Sequence, residues 1–410
     1  MSGVLSRFLA RRSLDETNSQ GLLGFLAGMG ALWQTASGVT VTPDSSLQSA
    51  TVFACVRLLA DSVSSLPLHT YRRLTGGGKE RAVDYPLYAV LHDLPNPEMT
   101  SVDYWSASVG HLCLWGNVYS EIETTKGGDI KALWPLRPDR TAPRRNPKTK
   151  LIEYVVRVPN ETNPVVLPAE RVMHVRAFGT SGLLGLSVIQ YNKQTIGLDL
   201  AAEEFGARFF GNGAVPGLVL QHPGVMNEGA YARLRDSWRE EHQGLSNAQR
   251  FAILEEGMTV EKIGIPPEDA QFLETRKYQR SQIAAMFHVP PHMIGDLDRA
   301  SFSNIEQQSL DYVVNTLRPL LVRLEKSVYR SLMTPAERMQ YFAEFLVDGL
   351  LRGDIASRYA AYATGRQWGW LSQNDIRAME NMNPIDGGDE YLKPLNMTPS
   401  NADGGTKGGN

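Results

Sequence analysis

Two stretches of helical periodicity flank a short polar break in the last third of the chain, and the other segments arrange themselves around them. Residues 267–290 open on Pro267-Glu268-Asp269, a proline and two acids of the kind a helix N-terminus favours. They close at Pro290-Pro291, which a helix does not run through. Beyond the break, Ser303 and Glu306 stand at capping-box spacing. Apolar residues then recur at Leu310, Val313, Val314, Leu317, Leu320, Leu321, Leu324 and Val328. That spacing predicts a helix of about five turns, kinked at Pro319.

Upstream, helical spacing covers 47–66, with Val52, Phe53, Val56, Leu59, Ala60 and Val63 on a wide apolar face. It returns at 100–115, where Thr100 and Asp103 have capping spacing. Strands are expected at 68–73, 118–124, 130–136, 151–158 and 172–176, so 45–184 reads as α+β. In the fourth, Ile152, Tyr154, Val156 and Val158 share a face. A third long helix is expected over 185–213, capped by Ser187 and stopped at Gly211-Asn212-Gly213. At 1.5 Å per residue, about 25 helical residues within it make a rod of roughly 37 Å.

Between the long helices lies an insert, 214–265, with a strand at 217–220 and a helix at 227–242 carrying Leu234 and Trp238 on one face. A hairpin of 251–254 and 260–265 completes it. After 333 come a strand at 341–347 and short helices at 355–365 and 374–382. Ordered structure is expected from about Ser45, with 1–44 as a flexible arm and 386–410 as a disordered tail.

Composition narrows the function classes. A chain of 410 residues with 42% apolar content has material for a sizeable core and two or three domains. Its net charge of −3 argues against a tight duplex binder. Cys55 and Cys113 fall inside apolar helical patterns and read as buried thiols. The most apolar run, 21–33, is shorter than the roughly 18 residues a membrane span needs. Asp15 and Glu16 before it argue against a signal peptide.

Motifs that carry chemistry are missing. Gly78-Lys79 is followed by Glu80, which is not a phosphate loop. His288 and His292 cannot share a helix face as metal ligands with Pro290 and Pro291 between them. Gly179-Thr180-Ser181-Gly182 lacks the spacing of a nucleophile elbow. The pairs Glu203-Glu204, Glu240-Glu241 and Glu255-Glu256 read as solvated surface. No catalytic residue, metal or cofactor is assigned, and the reading is a non-catalytic assembly protein.

Seven separated segments, in order, carry a resemblance. They are 49–56 (SATVFACV), 64–68 (SSLPL), 114–119 (LWGNVY), the 185–187 (GLS) helix ending at 208–213 (RFFGNG), 287–295 (FHVPPHMIG), 303–308 (SNIEQQ) and 351–354 (LRGD). In these the chain resembles the portal proteins of tailed double-stranded-DNA bacteriophages, of the Hong Kong ninety-seven type, over about residues 45–390.

The resemblance implies an α+β portal fold: a wing at 45–184, two long antiparallel stem helices at 185–213 and 266–291, and a small α/β clip at 214–265. A tunnel loop at 292–304, a kinked wing helix with return strand at 305–350, and a helical crown at 351–385 follow. It implies a ring, typically of twelve subunits, at one capsid vertex, through which DNA enters and leaves without sequence specificity. Implied partners are terminase, neck or adaptor proteins, and the major capsid and scaffolding proteins, with assembly in the host cytoplasm and residence in the virion. The DNA-facing loop would be Asp296, Leu297, Asp298, Arg299, Ala300, Ser301 and Phe302. The stem would present Arg276, Lys277 and Arg280 to the channel beside Glu274, and the clip would dock partners through Arg233, Arg235, Arg239 and Glu240. Twelve chains at −3 give about −36, which suits a bore that must not hold DNA. A plain capsid or scaffold protein, forming shells or staying monomeric, is the alternative.

Overall fold

Ser49 and Thr100 set the first two long helices. Ser49 Oγ accepts from Val52 N, starting α2 (Ala50–Ser64), and Thr100 forms a full capping box with Asp103 at the head of α4 (Ser101–Trp115). They are preceded by the single turn α1 (Pro43–Ser46), and α3 (Leu87–His92) lies between them. The computed structural model describes residues 33–75, 78–211, 218–242, 258–262, 269–296, 310–347, 355–380 and 382–392. It falls into two units that divide after Leu346.

In the first unit α2 and α4 pack against each other, burying Val52, Cys55, Val56, Leu59 and Val63 against a face of Tyr104, Trp105, Val109 and Leu112. Both thiols are buried and free, and burial pushes Cys55 and Cys113 up to about 12. Phe53 departs from the expected face and is half exposed. It follows Val52 by one position, and about 100° of rotation carries it off the buried stripe.

The first unit also holds three small antiparallel sheets. In the first, β1 (Leu68–Arg73) lies between β11 (Tyr341–Phe345) and β2 (Lys79–Arg81). In the second, β3 (Asn117–Thr124) lies between β4 (Ile130–Leu136) and β8 (Val172–Arg176). The third has β6 (Ile152–Val156) between β5 (Thr141–Arg145) and β7 (Val165–Pro168). Tyr119 and Val172 of the second sheet share one buried cluster with Tyr154, Val156 and Leu167 of the third. Strands β5 and β7 have no sequence forecast, β5 because it is mostly polar and β7 because it is only four residues ending at Pro168, while β2 follows the triglycine at 76–78, which reads as a hairpin turn. Val158 lies beyond the end of β6 and is exposed, so the shared face stops at Val156.

The helix expected over 185–213 is in two pieces, α5 (Val188–Tyr191) and α6 (Lys193–Gly211). Asn192 interrupts it: its Nδ2 donates back to Val188 O, which draws the residue off helical geometry. Ser187 is the cap, accepting from Gln190 N. Strand β9 (Leu218–Gln221) pairs antiparallel with β10 (Thr259–Lys262), and α7 (Glu228–His242) lies between them in sequence. The expected strand 251–254 lies outside the described residues. Helix α8 (Asp269–Met286) then packs along α6 and α2 and stops before Pro290-Pro291.

The helix expected after the break starts, among described residues, at Leu310. It runs as a π-helical turn over Tyr312–Leu317 and then as α9 (Arg318–Ser331). Pro319 has no N–H for the carbonyl at 315 and its ring would strike it, so the expected kink takes the form of a widened turn just upstream. Leu317, Leu321, Leu324 and Val328 form the buried stripe, facing β8 and β11 with the short α10 (Glu337–Gln340) beyond, whereas Leu310 and Val314 are exposed. Ser303 and Glu306 lie outside the described residues.

Structure is already formed at Trp33, earlier than Ser45: Trp33 and Val41 are buried, and Gln34 bridges Thr40. The second unit contains α11 (Ile355–Gln367) and α12 (Gln373–Met379), the latter started by a Ser372–Asp375 capping box. No hydrophobic side chain among its described residues is buried.

Candidate functional site

The α6–α8 helix pair grows from a junction in which two backbones nearly touch. Gly116 ends α4 in the left-handed region, φ 72°, and its carbonyl accepts from Ala177 N. A Cβ on Gly116 would lie 2.3 Å from Leu186 O, and one on Gly185 only 2.0 Å from Gly116 O. Both positions therefore demand glycine.

Asn117, the first residue of β3, fills the corner. Its Oδ1 accepts from Gly185 N at 2.8 Å and stands 3.0 Å from His174 Nε2; its Nδ2 donates to Gly185 O at 2.9 Å and Trp115 O at 3.1 Å. The Tyr154 hydroxyl is 3.2 Å from His174 Nδ1. Since Asn117 Oδ1 can only accept, His174 is the Nε2–H tautomer and Tyr154 donates to it. Burial, helped by Arg176 and Arg330, holds the His174 pKa well below the ordinary range, so the ring stays neutral. Ser187 Oγ closes the junction by donating to Leu114 O at 2.6 Å.

Two further ties hold the base of α6. Ser49 Oγ donates to the buried carboxylate Asp199 Oδ2 at 2.6 Å. Gly197 leaves room for Thr35, whose Cγ2 would be 2.7 Å from an added Cβ, while Ala36 N donates to Gln194 Oε1. Ile196, Ile283 and Ala284 are buried at this base, so α6 leaves the body where α8 returns to it. Further out, Arg276 of α8 meets Glu203 of α6 at 4.0 Å. Lys277 and Arg280 are exposed on α8, as are Leu198, Phe205 and Tyr278 on the pair.

Below α8, Pro291–Ile294 forms a 3₁₀ turn and Gly295 a left-handed one, φ 84°. Asp296 N donates to Pro291 O at 3.1 Å, and Thr316 Oγ1 to His288 O at 2.6 Å, which fixes the start of the polar break against the π-helical turn. Of the loop candidates, only Asp296 is described; Leu297, Asp298, Arg299, Ala300, Ser301 and Phe302 lie outside the described residues. Arg233 and Arg235 are exposed on α7, Arg235 pairing with Asp236 at 3.0 Å, and Arg239 and Glu240 occupy its last turns. The candidates thus stand on three separate elements.

The junction residues Asn117, Gly185, His174 and Asp199 were not singled out as site residues from the sequence. Their signal was faint: an Asn and a His inside apolar strand patterns, and an Asp on a helical face. Among the described residues, no group of three His, Cys, Asp or Glu could hold a metal, and no helix is long and apolar enough to cross a membrane.

Comparisons with known proteins agree with one another. The family model described as "Phage portal protein" matches residues 50–381. The "Probable portal protein" of Streptomyces phage phiC31 is 36% identical over 386 residues, covering 88% of this chain and 81% of that protein. The "Portal protein" of Enterobacteria phage HK97 is 32% identical over 359 residues, covering 86% and 83%. A chain from the "Neck of native GTA particle computed with C12 symmetry" shares the fold at a TM-score of 0.56 with 22% identity, covering 89% of this chain and 99% of that one.

Proposed function

Because the chain belongs to the phage portal protein family, we propose that it works as the ring-shaped head–tail connector of a virion and that the α6–α8 pair lines its channel. The observation that carries the channel assignment is the Asn117 junction. It fixes the base of a two-helix pair on which Leu198, near that base, and Tyr278, further out, are at least half exposed. Exposed apolar side chains on a projecting hairpin call for neighbours, and copies of the same hairpin around a ring supply them. The related chain solved in a neck computed with C12 symmetry supports twelve subunits.

In this reading residues 45–184 with 305–350 form the wing, 185–213 and 266–291 the stem, 214–265 the clip, 292–304 the tunnel loop and 351–385 the crown. Arg276 meets Glu203 across the two helices, and Lys277 and Arg280, exposed on α8, are the basic groups assigned to the bore. A sparse set of cations suits a conduit, because each phosphate neutralised adds affinity and so friction. Arg233, Arg235, Arg239 and Glu240 on α7 offer a charged docking surface for terminase during filling and for neck proteins afterwards. The major capsid and scaffolding proteins would meet the wing. The protein itself carries out no chemistry in this account; the motor is a separate partner.

Electron micrographs of the purified protein test the ring. Particles with a central hole are expected, whereas shells or monomers would return the assignment to a plain capsid or scaffold protein. For the loop, reversing the charges of Asp296, Asp298 and Arg299 is expected to leave rings intact while lowering the DNA packaged per particle. Normal packaging by that variant would remove the loop from the DNA path.

A further inference from the structure

A second feature lies away from the helix pair, where α9 crosses β8. A groove of about 470 Å³ is lined there by Arg176 of β8 and by Arg323, Lys326 and Arg330 of α9, with His174 and Ser327 completing the polar wall. It is open on the surface rather than an enclosed cavity. Four permanent cations converge on it, and no carboxylate is among the residues that line it.

Several arginines elsewhere in this unit meet carboxylates: Arg144 meets Glu153 at 2.6 Å, Arg171 meets Glu121 at 2.7 Å, and Arg72 meets Glu80 and Asp84. The acid nearest in sequence, Glu325, turns the other way and accepts from Phe345 N. Backbone carbonyls hold two of the forks in place instead. Arg323 donates to Arg176 O at 2.6 Å, and Arg176 Nε donates to Leu183 O at 3.0 Å. Burial and the neighbouring Arg176 push Arg330 below the ordinary arginine range, so a nearby anion would relieve it. His174 is neutral and adds no charge.

From this arrangement we infer a phosphate-binding site, one that takes the phosphate oxyanions of a free nucleotide-sized ligand or of a nucleic-acid backbone. Guanidinium forks held by backbone contacts suit such oxygens, which accept two parallel N–H bonds at a time. A phosphate chain brings several negative charges into one groove, whereas a side-chain carboxylate brings one. The inference stands apart from the channel reading, since none of these residues lies on α6 or α8.

The test uses the full-length protein in its assembled form. Titration with inorganic tripolyphosphate is expected to show binding that Lys326→Gln weakens roughly tenfold, and Lys326→Gln with Arg330→Gln roughly a hundredfold, each lost charge-assisted bond counting about a decade. Lys148→Gln, at a distant exposed turn, should leave it unchanged. Thermal unfolding checks that the variants fold, and Lys326→Gln is the safer of the two, because its Nζ lies over the Tyr329 ring and its charge acts on Glu325, whereas Arg330 is partly buried and bonded to Tyr154. A labelled short DNA duplex forms the second arm. If tripolyphosphate displaces it and the variants lose it, the site takes backbone phosphate; if only tripolyphosphate binds, it takes a free phosphorylated ligand. Equal tripolyphosphate affinity in wild type and Lys326→Gln overturns the inference. So does polyglutamate of matched charge binding as tightly, which would make the groove a dock for acidic protein.

Discussion

Replacing Asn117 by alanine should loosen the base of the helix pair while leaving the rest of the first unit intact. The substitution removes the partner of two buried donors, Gly185 N–H and His174 Nε2–H, and of the Gly185 carbonyl. A buried polar group left unsatisfied costs about 1–3 kcal/mol. Two orphaned donors, with some relaxation, come to about 3 kcal/mol, or roughly a hundredfold in the local opening equilibrium. Amide hydrogen exchange read on peptides covering 185–191 should accelerate by that factor, because opening there is sub-global. A peptide covering β1, whose partners are β2 and β11, should keep its wild-type rate. His174→Phe alone should have a smaller effect, since Asn117 keeps both bonds to Gly185. The double variant should fall short of the sum by about 1 kcal/mol, as expected of residues sharing one network. An acceleration below tenfold at 185–191, or one spread evenly over the unit, would refute the claim that Asn117 anchors the projection.

Acid should destabilise the protein through its neutral histidines. His111 is lowered to about 4 and His174 well below its usual value, both chiefly by burial, and the unfolded chain protonates both near 6.5. Below about pH 6.5 the unfolded state binds the extra protons, so stability falls with pH by about 1.4 kcal/mol per unit for each ring. The thermal midpoint should drop from pH 6.5 towards 4.5, and His111→Leu should make that decline shallower; an unchanged slope would show that His111 is not held neutral. Arg276→Glu sets two acids side by side across α6 and α8, where the present pair is 4.0 Å apart and about half exposed. The expected loss is small, about 0.5 kcal/mol. Adding Glu203→Arg should restore the thermal midpoint; no recovery in the swap would mean that the two side chains do not meet.

Helices whose apolar residues repeat over several turns were legible from the sequence, because a buried stripe leaves a period that no single neighbour can erase. Ala50–Ser64, Ser101–Trp115 and Arg318–Ser331 are of this kind, and the first two begin at caps that local chemistry dictates. Pro319 announced a disturbance, but its form as a π-helical turn depends on how residues 312–317 pack, and the sequence does not record that. The strand Val165–Pro168 left no trace, and Lys79–Arg81 only the hairpin-turn reading of the triglycine before it, since their residues are mostly exposed and they exist through the ladder of a neighbour. The break at Asn192 was hidden for the converse reason: the helical pattern continues across it, and the Asn192 side chain and backbone share Val188 O there.

The junction at Asn117 and the cationic groove share a cause for being hard to see. Each is made by residues far apart in sequence: 117 with 174 and 185, and 176 with 323, 326 and 330. Along the chain Asn117 is one polar residue at a strand start, and Arg323, Lys326 and Arg330 look like the solvated face of an amphipathic helix. Helical geometry puts 323, 326 and 330 on one side, but only β8 lying alongside turns that side into a groove and adds Arg176. The same strand carries His174 towards Asn117 and Arg176 towards α9, so β8 serves both features. His174 also lines the groove wall: burial first, and Arg176 and Arg330 after it, hold His174 neutral, and the neutral Nε2–H tautomer is the one Asn117 requires.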